Sequence, residues 1–253
     1  MMTLETPQSF ITRQECDKVA FQNGFRRSHG ETDGWRRYSS TTAQGSIWLA
    51  SDAAGGWWLA VDHGGVIEEL DDVPDAIEGP GLARYAFADL GALYALMPRV
   101  YQLAASLPDA PLAQFQAKVR DLPTSTEAER LVVQRIGQDV FRSGLIEYWQ
   151  SCCPLTGIKD APLLRASHII PWKDCATDAE RLDVHNGLLL SALWDAAFDR
   201  GLVSFDDAGQ PLFSPVLGER ARSELRWQQP IALTDKHRVR LSWHRSHLFK
   251  AEK

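Results

Sequence analysis

The chain reads as an α+β protein built in two parts, and three features of its 253 residues predict this. Residues 35–61 run in short apolar or alternating bursts separated by polar turns, the pattern of strands. Residues 82–106 and 124–150 instead repeat their apolar side chains at helical spacing. Between them Pro108, Pro111 and Pro123 punctuate the chain. This predicts an N-terminal α+β domain over 1–106, a linker over 107–123 and a second α+β domain over 124–253.

In chain order, residues 8–24 are expected to be helical, with Ser9 or Thr12 as cap and Phe10, Cys16, Val19 and Ala20 on an apolar stripe. Strands follow at 35–38, 46–50 and 57–61, the last two joined by a turn at Asp52-Ala53-Ala54-Gly55-Gly56. Trp57 and Trp58 are adjacent in a strand and so point to opposite faces. Arg26, Arg27, Arg36 and Arg37 lie near Trp35 and Tyr38, either as a nucleic-acid contact or as stems lying along strand edges. The helix over 82–106 contains Pro98, which is expected to kink or split it.

Thr124-Ser125-Thr126-Glu127 supplies a capping box for a helix running to about residue 150. The stretch 152–201 then organises the second domain. An apolar run over 163–170 reads as a strand carrying His168, and Pro171 stops it. A polar loop closes at Asn186, and Leu188, Leu189 and Leu190 form a second short strand. A short helix follows, with Ser191 at its N-cap, Trp194 and Phe198 on its apolar face and Gly201 at the left-handed C′ position. Asp195 and Asp199 are four apart, so their carboxylates stack on one face and can close on a single cation. Residues 202–205 and 211–214 flank a turn as a hairpin, and 242–249 are expected to be helical. His244 and His247 there have no carboxylate in register, which marks them as structural or surface groups.

A strand with His168, a loop with Asn186, a second strand and a helix with two stacked carboxylates resemble the HNH nuclease motif, the ββα-metal finger. Asp195 falls nine positions after Asn186, the family spacing. Ala166-Ser167-His168-Ile169-Ile170-Pro171-Trp172, Asn186-Gly187-Leu188-Leu189-Leu190 and Phe198-Asp199-Arg200-Gly201 are similar to the branch found in McrA-like and other restriction endonucleases. The resemblance implies a C-terminal HNH domain behind its leading helix. His168 is implied as general base, Asn186 as the residue that shapes the loop, and Asp195 with Asp199 as metal ligands. Two departures stand out: Ser167 occupies the place where many members carry Asp or His, and Asp195 replaces the last histidine of the motif. An oxygen-only ligand set favours a hard divalent ion, Mg²⁺ or Mn²⁺.

The net charge of −6 is unusual for a protein that binds DNA, but charge is unevenly distributed. Residues 209–253 carry nine Lys and Arg against four Asp and Glu, a net +5. Arg220, Arg222, Arg226, Arg238 and Arg240 on this tail, and Arg165 beside the base, are the candidate phosphate contacts; the alternative for the tail is a solvated helix face. Four cysteines without a C-x-x-C pair predict free thiols, not a structural zinc site. No apolar run reaches membrane-spanning length and no signal-peptide pattern opens the chain, so no membrane association and a cytoplasmic location are expected. The expected activity is metal-dependent DNA cleavage in restriction or defence, with DNA as partner and homodimerisation compatible with it. Two alternatives stay open: a non-catalytic DNA-binding module of the same fold, and a toxin or effector nuclease without sequence preference.

Overall fold

The computed structural model describes residues 4–251 and divides the chain into two compact units, Met1–Ala110 and Pro111–Lys253, each α+β. Among the described residues no helix is long and apolar enough to cross a membrane.

The first unit opens with α1 (Phe10–Gln22), whose cap Ser9 accepts from the Thr12 amide. Five strands follow as an antiparallel meander in sequence order: β1 (Arg27–Thr32), β2 (Trp35–Ser39), β3 (Ser46–Ser51), β4 (Trp57–Val61) and β5 (Ala83–Phe87). Helix α2 (Gly64–Glu69) interrupts the last connection, and α3 (Leu90–Ser106) ends the unit. Cys16, Val19 and Ala20 of α1 and Leu93, Met97, Val100 and Leu103 of α3 are buried, as are Ile47 and Leu49 of β3. Trp48 and Trp58 pack against a cluster of Trp35, Ala50 and Ala60. Residues 83–87, expected as the start of a helix, are a strand. They pair along their whole length with β4, from Val61 opposite Ala83 to Trp57 opposite Phe87. The helix starts only after Asp89, whose carboxylate accepts from the Ala92 amide, and Pro98 lies inside α3 without ending it. The arginine cluster lies along the sheet: Arg36 bonds Asp17 and Tyr38, and Arg37 bonds Ser46 and covers the Trp48 ring.

The segment expected as a linker holds a helix, α4 (Asp109–Val119). Pro111 does not break it because it sits in the first turn, where an amide hydrogen would have no helical partner. Helix α5 (Glu127–Tyr148) leads into the second unit. Its capping box is Thr126 with Glu129, two residues later than the spacing in the sequence suggests. Strand β6 (Leu164–His168), helix α6 (Asp178–Leu182), strand β7 (Gly187–Ser191) and helix α7 (Ala192–Asp199) follow. β6 and β7 pair antiparallel, from Leu164 opposite Ser191 to His168 opposite Gly187. α7 folds back on this ribbon, completing a ββα unit. A hairpin of β8 (Val203–Phe205) and β9 (Pro211–Phe213), then α8 (Glu219–Glu224) and α9 (Asp235–His247), complete the unit. The last helix thus starts seven residues before the expected 242. Thr234 and His237 form its capping box, a pairing hidden by the usual expectation of Glu or Gln at that position.

Candidate active site

The site grows out of one missing side chain. Gly187 faces His168 across the ribbon, and a Cβ on it would come within 2.4 Å of the Phe141 ring and 2.8 Å of Leu145. Without that carbon α5 can press against β7, and Phe141 slides under the imidazole. The two rings stack with centroids 3.7 Å apart and 16° between planes, and Trp172 closes a third side edge-on at 5.7 Å. His168 Nε2 lies 2.9 Å from the Arg181 carbonyl oxygen. A carbonyl only accepts, so Nε2 carries the proton and Nδ1 holds a lone pair. Nδ1 has no partner among the described residues. Burial lowers the His168 pKa, and the Arg181 carbonyl opposes this only in part, so the ring is neutral at pH 7.

The loop from 169 to 186 is held by two residues. Asn186 is buried; its Oδ1 accepts from the Ile170 amide at 2.8 Å, and its Nδ2 donates to the Ile170 carbonyl at 3.1 Å and to the Glu180 carbonyl at 3.3 Å. Arg181 donates to the carbonyls of Trp172 and Cys175 and pairs with Asp178. Asn186 thus fixes where β6 turns away and Arg181 fixes what its own carbonyl offers to His168. Both side chains bond the backbone of the loop.

The Ser167 hydroxyl of β6 donates to Asp195 Oδ1 of α7 at 2.6 Å, a charge-assisted bond from a buried residue. One turn on, the Asp199 carboxyl is pushed up to about 6, first by desolvation and then by the Asp195 charge, against the pull of Arg200. Asp199, His168, Trp172, Lys173 and His244 line one cleft of about 400 Å³. Residues 153–206 match the family model of the HNH endonucleases. This segment belongs to that family. No curated protein matches the chain.

Within the HNH domain the metal site implied by the family is lean. Among the described residues no group of three or more His, Cys, Asp or Glu could hold an ion. Two carboxylates whose charges already oppose each other nevertheless fit a hard divalent ion, which would relieve that repulsion while water filled the remaining positions.

The candidate phosphate contacts differ in how their side chains are engaged. Arg240 is tied to Asp183 and the Lys236 carbonyl, and its side chain is only 20% exposed. The same Asp183 accepts from His185 Nδ1; burial raises its pKa, but His185 and Arg240 outweigh that and hold it low. Arg240 is therefore held by partners within its own unit. Arg238 bonds Asp207 and Asp235, and Arg165 turns back onto the Pro162 and Leu164 carbonyls. Arg220 pairs with Glu224 and remains 91% exposed, Arg222 lies over Phe213, and Arg226 is exposed with no side-chain bond among the described residues. Sequence reasoning passed over Lys173, an exposed cation lining the cleft. Its signal was its position, two residues beyond the proline that ends the histidine strand. Arg181 was missed as well, because its role depends on its backbone carbonyl, which side-chain patterns do not register. His244 is fully buried and His247 exposed, in keeping with structural and surface roles.

Proposed function

We propose that the chain is a metal-dependent DNA endonuclease working in restriction or defence. The observation that carries the reading is His168: one ring nitrogen is spent on a backbone carbonyl, while the other is free in the residue that lines the cleft with Asp199. In this reading His168 Nδ1 takes the proton from the attacking water, as a neutral imidazole must. Phe141, Trp172 and the Arg181 carbonyl keep the ring from rotating, and Asn186 sets the loop that holds them in place. Lys173 offers charge to a phosphate oxygen. Asp195 and Asp199 would hold Mg²⁺ or Mn²⁺, which when bound supplies Lewis-acid stabilisation of charge at the phosphate and the leaving oxygen. The Met1–Ala110 unit, acidic and rich in tryptophan, serves substrate recognition or regulation of the nuclease, and the HNH domain with its leading helix and basic tail does the cutting.

The test is purified full-length chain on modified and unmodified plasmid DNA with Mg²⁺, Mn²⁺, Ni²⁺, Zn²⁺ or EDTA. Cleavage is expected with Mg²⁺ or Mn²⁺ and none with EDTA. Best activity with Zn²⁺ would sink the carboxylate ligand set, and DNA binding without turnover in any metal would favour the non-catalytic module.

A further inference from the structure

Helix α7 ends at two different clefts. Its C-terminal Asp199 lines the cleft of His168, whereas Ser191, Leu193 and Trp194, at its N-cap and first turn, line a separate cleft of about 510 Å³. This second cleft is chemically unfinished. The first amides of a helix have no partners within it, and they present partial positive charge. Ser191 would normally satisfy one of them, yet its side chain makes no capping bond. The residue is only 6% exposed, and its hydroxyl has no partner elsewhere among the described residues. An unpartnered hydroxyl on a buried residue, lining a cleft at a helix N-terminus, is open to an acceptor from outside.

Another residue of the lining supplies the charge. Among the described residues Arg226 lines the cleft with no ion pair, and Glu224, the one acid of the lining, is engaged by Arg220. The wall is preformed: Trp194 Nε1 donates to the Arg226 carbonyl at 3.0 Å, and the Gln228 amide donates to the Leu155 carbonyl at 2.8 Å. Leu193 and Trp227, 51% and 37% exposed, add apolar surface beside the polar groups. A phosphodiester has this composition, an anion flanked by sugar.

We infer that this cleft binds a backbone phosphate of the DNA substrate away from the cleavage point, through the Ser191 hydroxyl, the α7 amides and Arg226, with Leu193 and Trp227 against the adjoining deoxyribose. The inference rests on DNA being the substrate. Eight helical residues separate the two clefts by roughly 12 Å. Successive phosphates on one strand rise by about 3.4 Å, so the bound phosphate lies a few nucleotides from the scissile one. The helix that carries the carboxylates is then gripped at both ends by the same strand, which sets the register of the cut.

Binding of a short fluorescent duplex to the full chain in EDTA tests this without cleavage. Arg226→Ala should weaken binding about tenfold and flatten the dependence of log affinity on log salt by about one, the loss of one phosphate contact. Ser191→Asp is the sharper variant. A carboxylate is a good N-cap, so thermal stability should hold or rise, while binding falls at least as far as with Arg226→Ala. Unchanged affinity and salt slope in both variants would overturn the subsite. So would stabilisation of the wild type by inorganic phosphate, lost in Ser191→Asp, while duplex binding is unaffected, since the cleft would then take the free ion. A wild type that does not bind duplex removes the subsite and the DNA reading together. If both variants lose binding although no metal supports cleavage, the subsite stands and only the nuclease reading falls.

Discussion

His168 and His244 line the same cleft and are built alike. Each imidazole lies flat on a phenylalanine, Phe141 at 3.7 Å and Phe198 at 4.0 Å, and each places Nε2 near a backbone carbonyl. Burial lowers both pKa values, that of His244 to about 4. They differ at the other nitrogen. His244 Nδ1 is bonded to the fully buried Ser204 hydroxyl at 3.0 Å, whereas His168 Nδ1 has no partner among the described residues. Stacking and desolvation thus make a rigid neutral imidazole, which is as useful to a core as to a catalyst. What separates the two is one unsatisfied lone pair.

The widest separation should come from deleting each ring. His168→Ala should lower cleavage by ~10²- to 10⁴-fold, the usual contribution of a general base, with DNA binding retained. His244→Ala should instead cost roughly 2–4 kcal/mol of stability, through a buried cavity and a stranded Ser204 hydroxyl, and change cleavage by the folded fraction little. Thermal melts beside single-turnover cleavage read both effects. If His244→Ala loses more activity than His168→Ala without unfolding, the roles are reversed.

Acid should sharpen the contrast through stability. His244 titrates near its ordinary 6.5 when unfolded and at about 4 when folded, so between these values the unfolded chain binds more protons. Its contribution is complete above pH 6.5, shrinks as pH falls, and is gone below about 4, a total of a few kcal/mol. His244→Phe keeps the stack and removes the proton site, so its melting temperature should fall less steeply over that range than that of the wild type. Parallel curves would mean that His244 is not held neutral by the fold.

How much of this was legible in the sequence depends on the range of the interactions. The ββα order, the places of His168, Asn186, Asp195 and Asp199, and the glycine after α7 follow from local rules. A Cβ at Gly201 would sit 2.0 Å from the Leu248 carbonyl oxygen at a positive φ, so its turn is written in one residue. The stack of Phe141 under His168 depends on Gly187, which lies 46 residues after Phe141, a separation no local window spans. Strand 83–87 was hidden for a similar reason. Its apolar spacing continues smoothly into that of α3, and only pairing with β4 separates them. The partners of the arginines were not legible because sequence counts charges but not pairings: Asp183 engages Arg240, and Asp207 engages Arg238 and Arg245.

The smallest predicted effect compares two buried serines, Ser204 bonded to His244 and Ser167 bonded to Asp195. By the argument above, Ser204 only completes a core, and Ser204→Ala should lower the melting temperature without altering the metal dependence of cleavage. Ser167 fixes Oδ1 of a carboxylate whose other oxygen is then free and oriented, the relation by which an outer hydrogen bond tunes a metal ligand. Losing such a bond costs about tenfold or more in ion affinity in other sites. Ser167→Ala should therefore raise the Mn²⁺ concentration for half-maximal cleavage by about that factor, while the rate at saturating Mn²⁺ stays near wild type because His168 is untouched. A fall in that concentration would mean that the hydroxyl competes with the ion for Asp195. An unchanged value would place the ion away from Asp195 altogether and leave the Ser167 bond as much a matter of packing as that of Ser204.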